Sequence, residues 1–286
     1  MRAVFSTVFL TVAAAAASGA DQADVAAATR TIYVAVTDAT GRPVLDMDAA
    51  DFEVRETGDL RPVELLPVNE PLRVALIVSR SAPNVRLLPA AKALCEQLEG
   101  NGDVSVISVH GDKVETVSDF SDRVGDCLAA VSRLATTENV PGRVGAALVD
   151  TILKTAKAIG RENRRAAIVV LRAGDEQSTP LYGERLQQPL RTSGAVLYLA
   201  STPAEGQASP PMSVAMSTLI DAAIESGGRH VVLGSDPAVV RPIAWELATS
   251  YRIRYIAPPG ARSGARLTVT SRRPGVKVLA PTRVNR

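Results

Sequence analysis

The chain has 286 residues, of which 46% are hydrophobic, and its 32 Lys and Arg residues nearly balance its 30 Asp and Glu residues. This length allows one large domain, or one medium-sized domain with a smaller one. The balanced charge argues against nucleic-acid binding, which usually needs a clustered basic excess. Arginines do gather between Arg262 and Arg286, but Pro and Gly residues interrupt them, and we interpret them as a solvated strand face.

The first 20 residues are typical of a secretory signal peptide. The basic start Met1–Arg2 precedes the apolar stretch Ala3–Ala17 and the small residues Ser18–Ala20. An uncleaved membrane anchor is the alternative, but it needs about 20 apolar residues, and the polar Asp21 follows at once. We therefore expect cleavage after residue 20, no membrane span in the mature protein, and a periplasmic or extracellular location.

Short strands are predicted between residues 31 and 70. β-forming residues are clustered in Thr31–Val36, and they alternate with polar residues in Asp51–Glu56. A third strand after Gly58 runs through Val63–Leu66. These segments predict a small N-terminal β unit.

Residues 71–250 show a longer rhythm, in which apolar runs alternate with helical stripes. The predicted strands are Val74–Val78, Val104–Val109, Val114–Val117, Ala166–Leu171, Ala195–Ala200 and His230–Leu233. The predicted helices are Leu87–Leu98, Val124–Leu134, Leu148–Ile159, Leu181–Ser193, Ala215–Ile224 and Ile243–Ala248. One hairpin, at Gly111, interrupts the alternation, and Gly160 suits a left-handed helix C-cap. The pattern predicts an α/β fold with a doubly wound, mostly parallel six-stranded sheet.

The chain returns to strand periodicity in residues 251–286, at Tyr251–Ile256, Arg266–Ser271 and Val276–Leu279. We expect these strands to pair with the N-terminal β unit, because a three-stranded sheet alone leaves open edges and an uncovered apolar face. The α/β domain would then be inserted in a small β sandwich.

Two cysteines, Cys95 and Cys127, lie on the apolar stripes of predicted helices. An even number of cysteines in an exported chain is compatible with a disulfide. Two separately buried thiols are the alternative.

The segment that follows the first buried strand carries a resemblance to a known domain type. Val74–Val78 leads into Ser79-Arg80-Ser81-Ala82-Pro83, which resembles the start of a von Willebrand factor type A (vWA) domain, where Asp-x-Ser-x-Ser forms the core of the metal-ion-dependent adhesion site. The flanks Thr31–Val54, Tyr251–Tyr255 and Arg273–Val278 resemble those of a bacterial exported family called VWFA-related. The resemblance covers roughly residues 31–279.

The resemblance also implies that the metal site is degenerate. The family's first Asp and second Ser fall on Ser79 and Pro83, its Thr falls near Ala146, and its later Asp falls on Ala173. Only Ser81, at the family's first Ser, keeps a side chain that can bind the metal. Because Mg²⁺ is held by carboxylate and other oxygen ligands in near-octahedral geometry, we expect no metal and no other cofactor.

Charged residues near this edge leave two alternatives open. Asp175 or Glu176 could rescue weak metal binding, or both could belong to a solvated turn. Arg80 or Arg172 could contact an acidic group of a partner directly, since guanidinium pairs carboxylates bidentately, or could simply be exposed loop residues.

We expect a non-enzymatic protein-binding module that uses Ser79, Arg80, Ser81, Arg172 and Asp175. The chain has no Gly-x-Ser-x-Gly elbow and no phosphate-binding loop. A serine hydrolase with Ser79 or Ser81 as nucleophile, together with a histidine and Asp175, is one alternative, and a structural spacer subunit is another. We interpret the two histidines, His110 and His230, as structural.

Overall fold

A six-stranded sheet forms the centre of the molecule. The computed structural model describes residues 28–79, 86–135, 145–160, 164–172, 183–202 and 214–284. The strands of this sheet, in chain order, are β5 (Leu72–Ser79), β6 (Gly102–His110), β7 (Lys113–Ser121), β8 (Arg165–Arg172), β9 (Val196–Ser201) and β10 (His230–Val232). They are arranged in the order β10-β9-β8-β5-β6-β7, and β7 alone is antiparallel to its neighbour. The predicted α/β fold class is confirmed.

Helices cover both faces of this sheet. They are α1 (Leu87–Gln97), α2 (Val124–Ala135), α3 (Gly145–Ile159), α4 (Gly183–Ser193), α5 (Val214–Glu225) and α6 (Arg241–Ala248). Successive side chains of a strand point to opposite faces. Val74, Leu76 and Val78 of β5 therefore pack with α1, α2 and α6, whereas Ala75 and Ile77 pack with α3, α4 and α5. Burial on both faces explains the continuous apolar runs in the sequence.

The remaining strands form two antiparallel sheets around a separate core. They are β1 (Thr29–Asp38), β2 (Phe52–Glu56), β3 (Asp59–Arg61), β4 (Val63–Leu66), β11 (Tyr251–Ile256), β12 (Leu267–Ser271) and β13 (Val276–Leu279). The sheet orders are β13-β1-β11-β4 and β12-β2-β3, so each tail strand pairs with an N-terminal strand. The core between the sheets includes Phe52, Val54, Ile253 and Tyr255.

Two local expectations differ from the structure. The strand predicted after Gly58 is divided at Pro62 into β3 and β4, which belong to different sheets, because proline interrupts strand pairing. Gly160 does not adopt the predicted left-handed conformation. A side chain at Gly160 would instead collide with Ser193 at the end of α4, so this glycine permits two helix ends to approach closely.

A disulfide joins the two helices that carry cysteines. Cys95 in α1 and Cys127 in α2 are bonded, with their Cα atoms 5.9 Å apart, and both side chains are buried. The alternative, in which the two cysteines are separate thiols, is therefore wrong. Among the helices described, none is both long and apolar enough to cross a membrane.

Candidate functional site

The carboxyl ends of the parallel strands bring several polar side chains into one row. The strand register places Ser79 of β5 between Val109 of β6 and Arg172 of β8, and Arg172 in turn beside Ser201 of β9. The side chains of all these residues point to the face of the sheet that packs against α3, α4 and α5. Ligands bind outside this edge in open α/β sheets. The row is therefore the floor of the candidate site.

This row is buried. Ser79 is 0% exposed, Arg172 is 3% exposed and Ser201 is 6% exposed. The Arg172 Nη1 atom lies 3.3 Å from the sulfur of Met216 in α5. Arg172 is thus the last residue of a central strand, and its interpretation as an exposed loop residue is wrong.

A serine–histidine contact extends the row to the sheet edge. The Oγ atom of Ser201 and the Nε2 atom of His230 are 2.8 Å apart. Burial lowers the pKa of His230, and the positive charge of Arg172 lowers it further. The imidazole is therefore held toward its neutral form. Sequence reasoning missed this contact, because the two residues are 29 positions apart and only the pairing of β9 with β10 joins them.

Among the described residues, Ser79 and His230 do not form the serine–histidine pair that the serine hydrolase alternative requires. Ser79 has no exposed surface, and the hydrogen bond of His230 goes to Ser201 rather than to Ser79. Within the described ranges, no carboxylate forms a hydrogen bond with His230. A catalytic triad needs a base that is oriented by a third group. Ser81 and Asp175, which complete the alternative, lie outside the described residues.

The described residues of the floor supply no carboxylate to a divalent cation. Ser79 supplies a neutral hydroxyl, Arg172 supplies a guanidinium with no lone pair to offer, and the exposed Ala146 at the start of α3 supplies no oxygen. The part of the chain that the structure describes contains no group of three or more His, Cys, Asp or Glu residues suited to a metal. The remaining aligned positions, Arg80 to Pro83 and Ala173 to Glu176, lie outside that part.

Known proteins resemble this chain in structure rather than in sequence. No protein-family model matches the sequence, and no curated protein does. A von Willebrand factor type A protein from Catenulispora acidiphila is 10% identical, with a TM-score of 0.47, over 91% of this chain and 74% of that one. The conserved hypothetical protein BatB from Bacteroides thetaiotaomicron is 12% identical, with a TM-score of 0.45, over 62% of this chain and 97% of that one.

A third similar structure is a variant of the PilB minor pilin from Streptococcus sanguinis. It is 11% identical, with a TM-score of 0.43, and the match covers 63% of this chain and 61% of the pilin chain. At such identities the likeness concerns the fold alone. At that level, the resemblance to vWA domains is confirmed.

Proposed function

We propose that this chain, whose α/β domain has the vWA fold, is an exported, non-enzymatic module that binds a protein partner without a metal ion. The observation that carries the proposal is the buried guanidinium of Arg172 on the floor of the strand-end site. A guanidinium has no lone pair to offer a metal ion, so this strand-end residue occupies the floor without supplying a ligand. In this proposal the domain limits remain 31–70, 71–250 and 251–286.

The proposed contact surface consists of the segments that follow β5 and β8. Ser79 and Arg172 would support these segments from beneath, since both are buried strand-end residues. Arg80, Ser81 and Asp175 would supply the contacts with the partner. The partner chemistry that suits Arg80 is a carboxylate, because a guanidinium can bind both carboxylate oxygens without an intervening metal.

The non-enzymatic part of the proposal is supported by the burial of Ser79 and by the engagement of His230 with Ser201. A fluorophosphonate probe tests it directly. We expect no covalent labelling of the folded protein, and the heat-unfolded protein serves as the control for non-specific reaction. Labelling at Ser79 or Ser81, found by peptide mass spectrometry, would instead support the hydrolase alternative.

The metal-independent binding is tested by capture of partners from an envelope extract of the organism that expresses the protein. The tagged mature protein is used as bait, with EDTA in one sample and Mg²⁺ in the other. We expect the same captured proteins in both samples. Arg80→Glu should lose them, whereas Arg262→Glu, an equal charge change at an exposed site, should retain them. Capture that EDTA abolishes would overturn the proposal, and capture that Arg80→Glu leaves intact would favour the spacer alternative.

A further inference from the structure

The strand β7 forms one edge of the six-stranded sheet, at the end of the strand order opposite to β10. Residues 113–116 of this strand are all exposed, whereas Val117 is buried. Because successive side chains of a strand point to opposite faces, four exposed residues in a row show that both faces of the sheet are open at this end. A groove of about 520 Å³ between β7 and α3 provides additional room on one face.

The hairpin that joins β6 to β7 determines which backbone groups of β7 face the open edge. Its loop begins at Gly111, with a φ of +58°, and contains two residues, so His110 and Lys113 are the pair that flanks the loop. This flanking pair is hydrogen-bonded in a hairpin with a two-residue loop, and hydrogen-bonded pairs alternate with non-hydrogen-bonded pairs along an antiparallel ladder. The N–H and C=O groups of Val114 and Thr116 therefore point away from β6.

These outward groups are open to another chain. In the ranges that the structure describes, no loop, cap or side chain forms a hydrogen bond with the backbone of Val114 or Thr116 on the open side. The open stretch ends at the next residue, because the carbonyl of Val117 accepts a hydrogen bond from Arg133 Nη2 and the ladder has a register shift here. An edge with unpaired N–H and C=O groups is a template for pairing with another strand.

The two residues beside Val114 carry opposite charges. Lys113 and Glu115 point to the face of the sheet that carries α2, and neither forms an ion pair with any described residue. Val114 points to the other face, where its side chain is 50% exposed and lines the groove beside α3. The segment Lys113-Val114-Glu115 is consequently complementary to a second copy of itself in antiparallel orientation.

We propose that two copies of this chain associate through β7, about a two-fold axis at Val114, so that their six-stranded sheets join. The backbones of the two Val114 residues would exchange hydrogen bonds, and their exposed side chains would meet on the groove face. Lys113 of each copy would lie opposite Glu115 of the other, in non-hydrogen-bonded pairs, where side chains approach most closely. The two-fold axis makes this contact occur twice. The inference does not rest on the strand-end site.

Charge also selects the register of this pairing. The outward direction of Val114 and Thr116 allows the register to shift only in steps of two residues. A shift in one direction would place Lys113 opposite Lys113, and a shift in the other would place Glu115 opposite Glu115. Like charges directly opposite each other are destabilising. The register centred on Val114 is therefore favoured over both of its neighbours.

Sedimentation velocity of the mature protein over a concentration series tests the proposal. The paired segment is short, and small interfaces are typical of transient complexes, so we expect a reversible dimer that forms as the concentration rises. Glu115→Lys and Lys113→Glu should each weaken dimerisation by about tenfold or more, because both ion pairs become like-charge pairs. Asp221→Lys and Arg262→Glu make the same charge changes at exposed sites away from β7, and they should dimerise like the wild type. A wild type that stays monomeric, or equal losses in the controls, would overturn the proposal.

A charge exchange tests the register itself. The double variant Lys113→Glu, Glu115→Lys should dimerise like the wild type, because each ion pair re-forms with its signs reversed. A mixture of the two single variants should also dimerise, since every Lys then faces a Glu. Failure of either restoration would show that these two residues do not face each other.

The backbone bonds need their own measurement. Val114→Pro removes an N–H that points to the open edge, and proline is accepted at such edge positions, so the variant should keep the circular dichroism spectrum of the wild type and lose the dimer. Val114→Thr keeps the N–H and the β-branched shape, and it should retain the dimer. A folded Val114→Pro variant that dimerises would overturn strand pairing, and an unfolded one would contradict the outward direction of the N–H.

Discussion

The carboxylate of Glu246 in α6 is paired with the guanidinium of Arg229 at a place where Glu246 is only 1% exposed. Tyr198 of β9 and Lys277 of β13 are the other titratable groups that act on it. Burial raises the pKa of Glu246 to about 7, although Arg229 and Lys277 act in the opposite direction. A carboxyl group in the core of the α/β domain is thereby placed to titrate near neutral pH.

We expect Glu246 to make stability depend on pH. Its pKa is higher in the folded than in the unfolded protein, so its contribution is complete below its ordinary pKa of 4.5 and is lost as pH rises through about 7. Glu246→Gln should therefore gain stability relative to the wild type between pH 5 and pH 8, by on the order of 2–3 kcal/mol. Urea unfolding at several pH values measures this difference.

His230 has the opposite effect on the pH dependence of stability. Its pKa is lowered by burial, so its contribution is present above its ordinary value and is lost as pH falls through the lowered pKa. Because His230 is present in both proteins, the comparison of wild type with Glu246→Gln removes its effect. A stability difference that stays constant with pH would contradict the assignment to Glu246.

The disulfide between Cys95 and Cys127 should contribute measurably to stability. It closes a segment with a sequence separation of 32, and such a cross-link typically adds about 2–4 kcal/mol. Dithiothreitol should lower the urea midpoint of the wild type and leave that of the Cys95→Ala, Cys127→Ala variant unchanged. A wild-type midpoint that dithiothreitol does not move would mean that the two thiols are not bonded in solution.

We expect substitution of Gly228 to be destabilising because there is no room for a side chain, and not because its backbone conformation requires glycine. Its φ is not positive, but an added Cβ would overlap the carbonyl oxygen of Leu197 and lie 3.2 Å from Val196 Cγ1. Crowding of this kind costs about 1–3 kcal/mol. Gly228→Ala should lower the free energy of unfolding by that amount, while Gly234→Ala, which meets no atom within 4 Å, should not. Equal unfolding midpoints for both variants would contradict the close approach.

Arg172 should prevent metal binding even when ligands are restored. We expect Mn²⁺ to leave the Tm of the wild type unchanged. In a variant with Ser79→Asp, Pro83→Ser, Ala146→Thr and Ala173→Asp, the Tm should rise only weakly with Mn²⁺. When Arg172→Ser is added to that variant, the Tm should rise with Mn²⁺ concentration. Circular dichroism checks that each variant is folded. A wild-type Tm that rises with Mn²⁺ would contradict the proposed metal independence.

Local sequence patterns predicted most of the secondary structure. The runs Val74–Val78 and Ala166–Leu171 became β5 and β8, because a strand that is buried on both faces must be apolar at every position. Gly160 shows where local reasoning failed. A glycine after a helix fits a left-handed cap in the sequence alone, whereas its actual role depends on Ser193, which is 33 positions away.

The sequence by itself determined the alternation of strands and helices and the vWA resemblance, which implies that the family's carboxylates are missing at Ser79 and Ala173. Tertiary structure alone decided that Arg172 is buried beside Ser79, that Ser201 meets His230, and that β12 and β13 belong to different sheets. The physical reason is the range of the forces involved. Periodicity and turn chemistry act within a few residues, but strand register and the meeting of sheet edges depend on packing between segments that are distant in the chain.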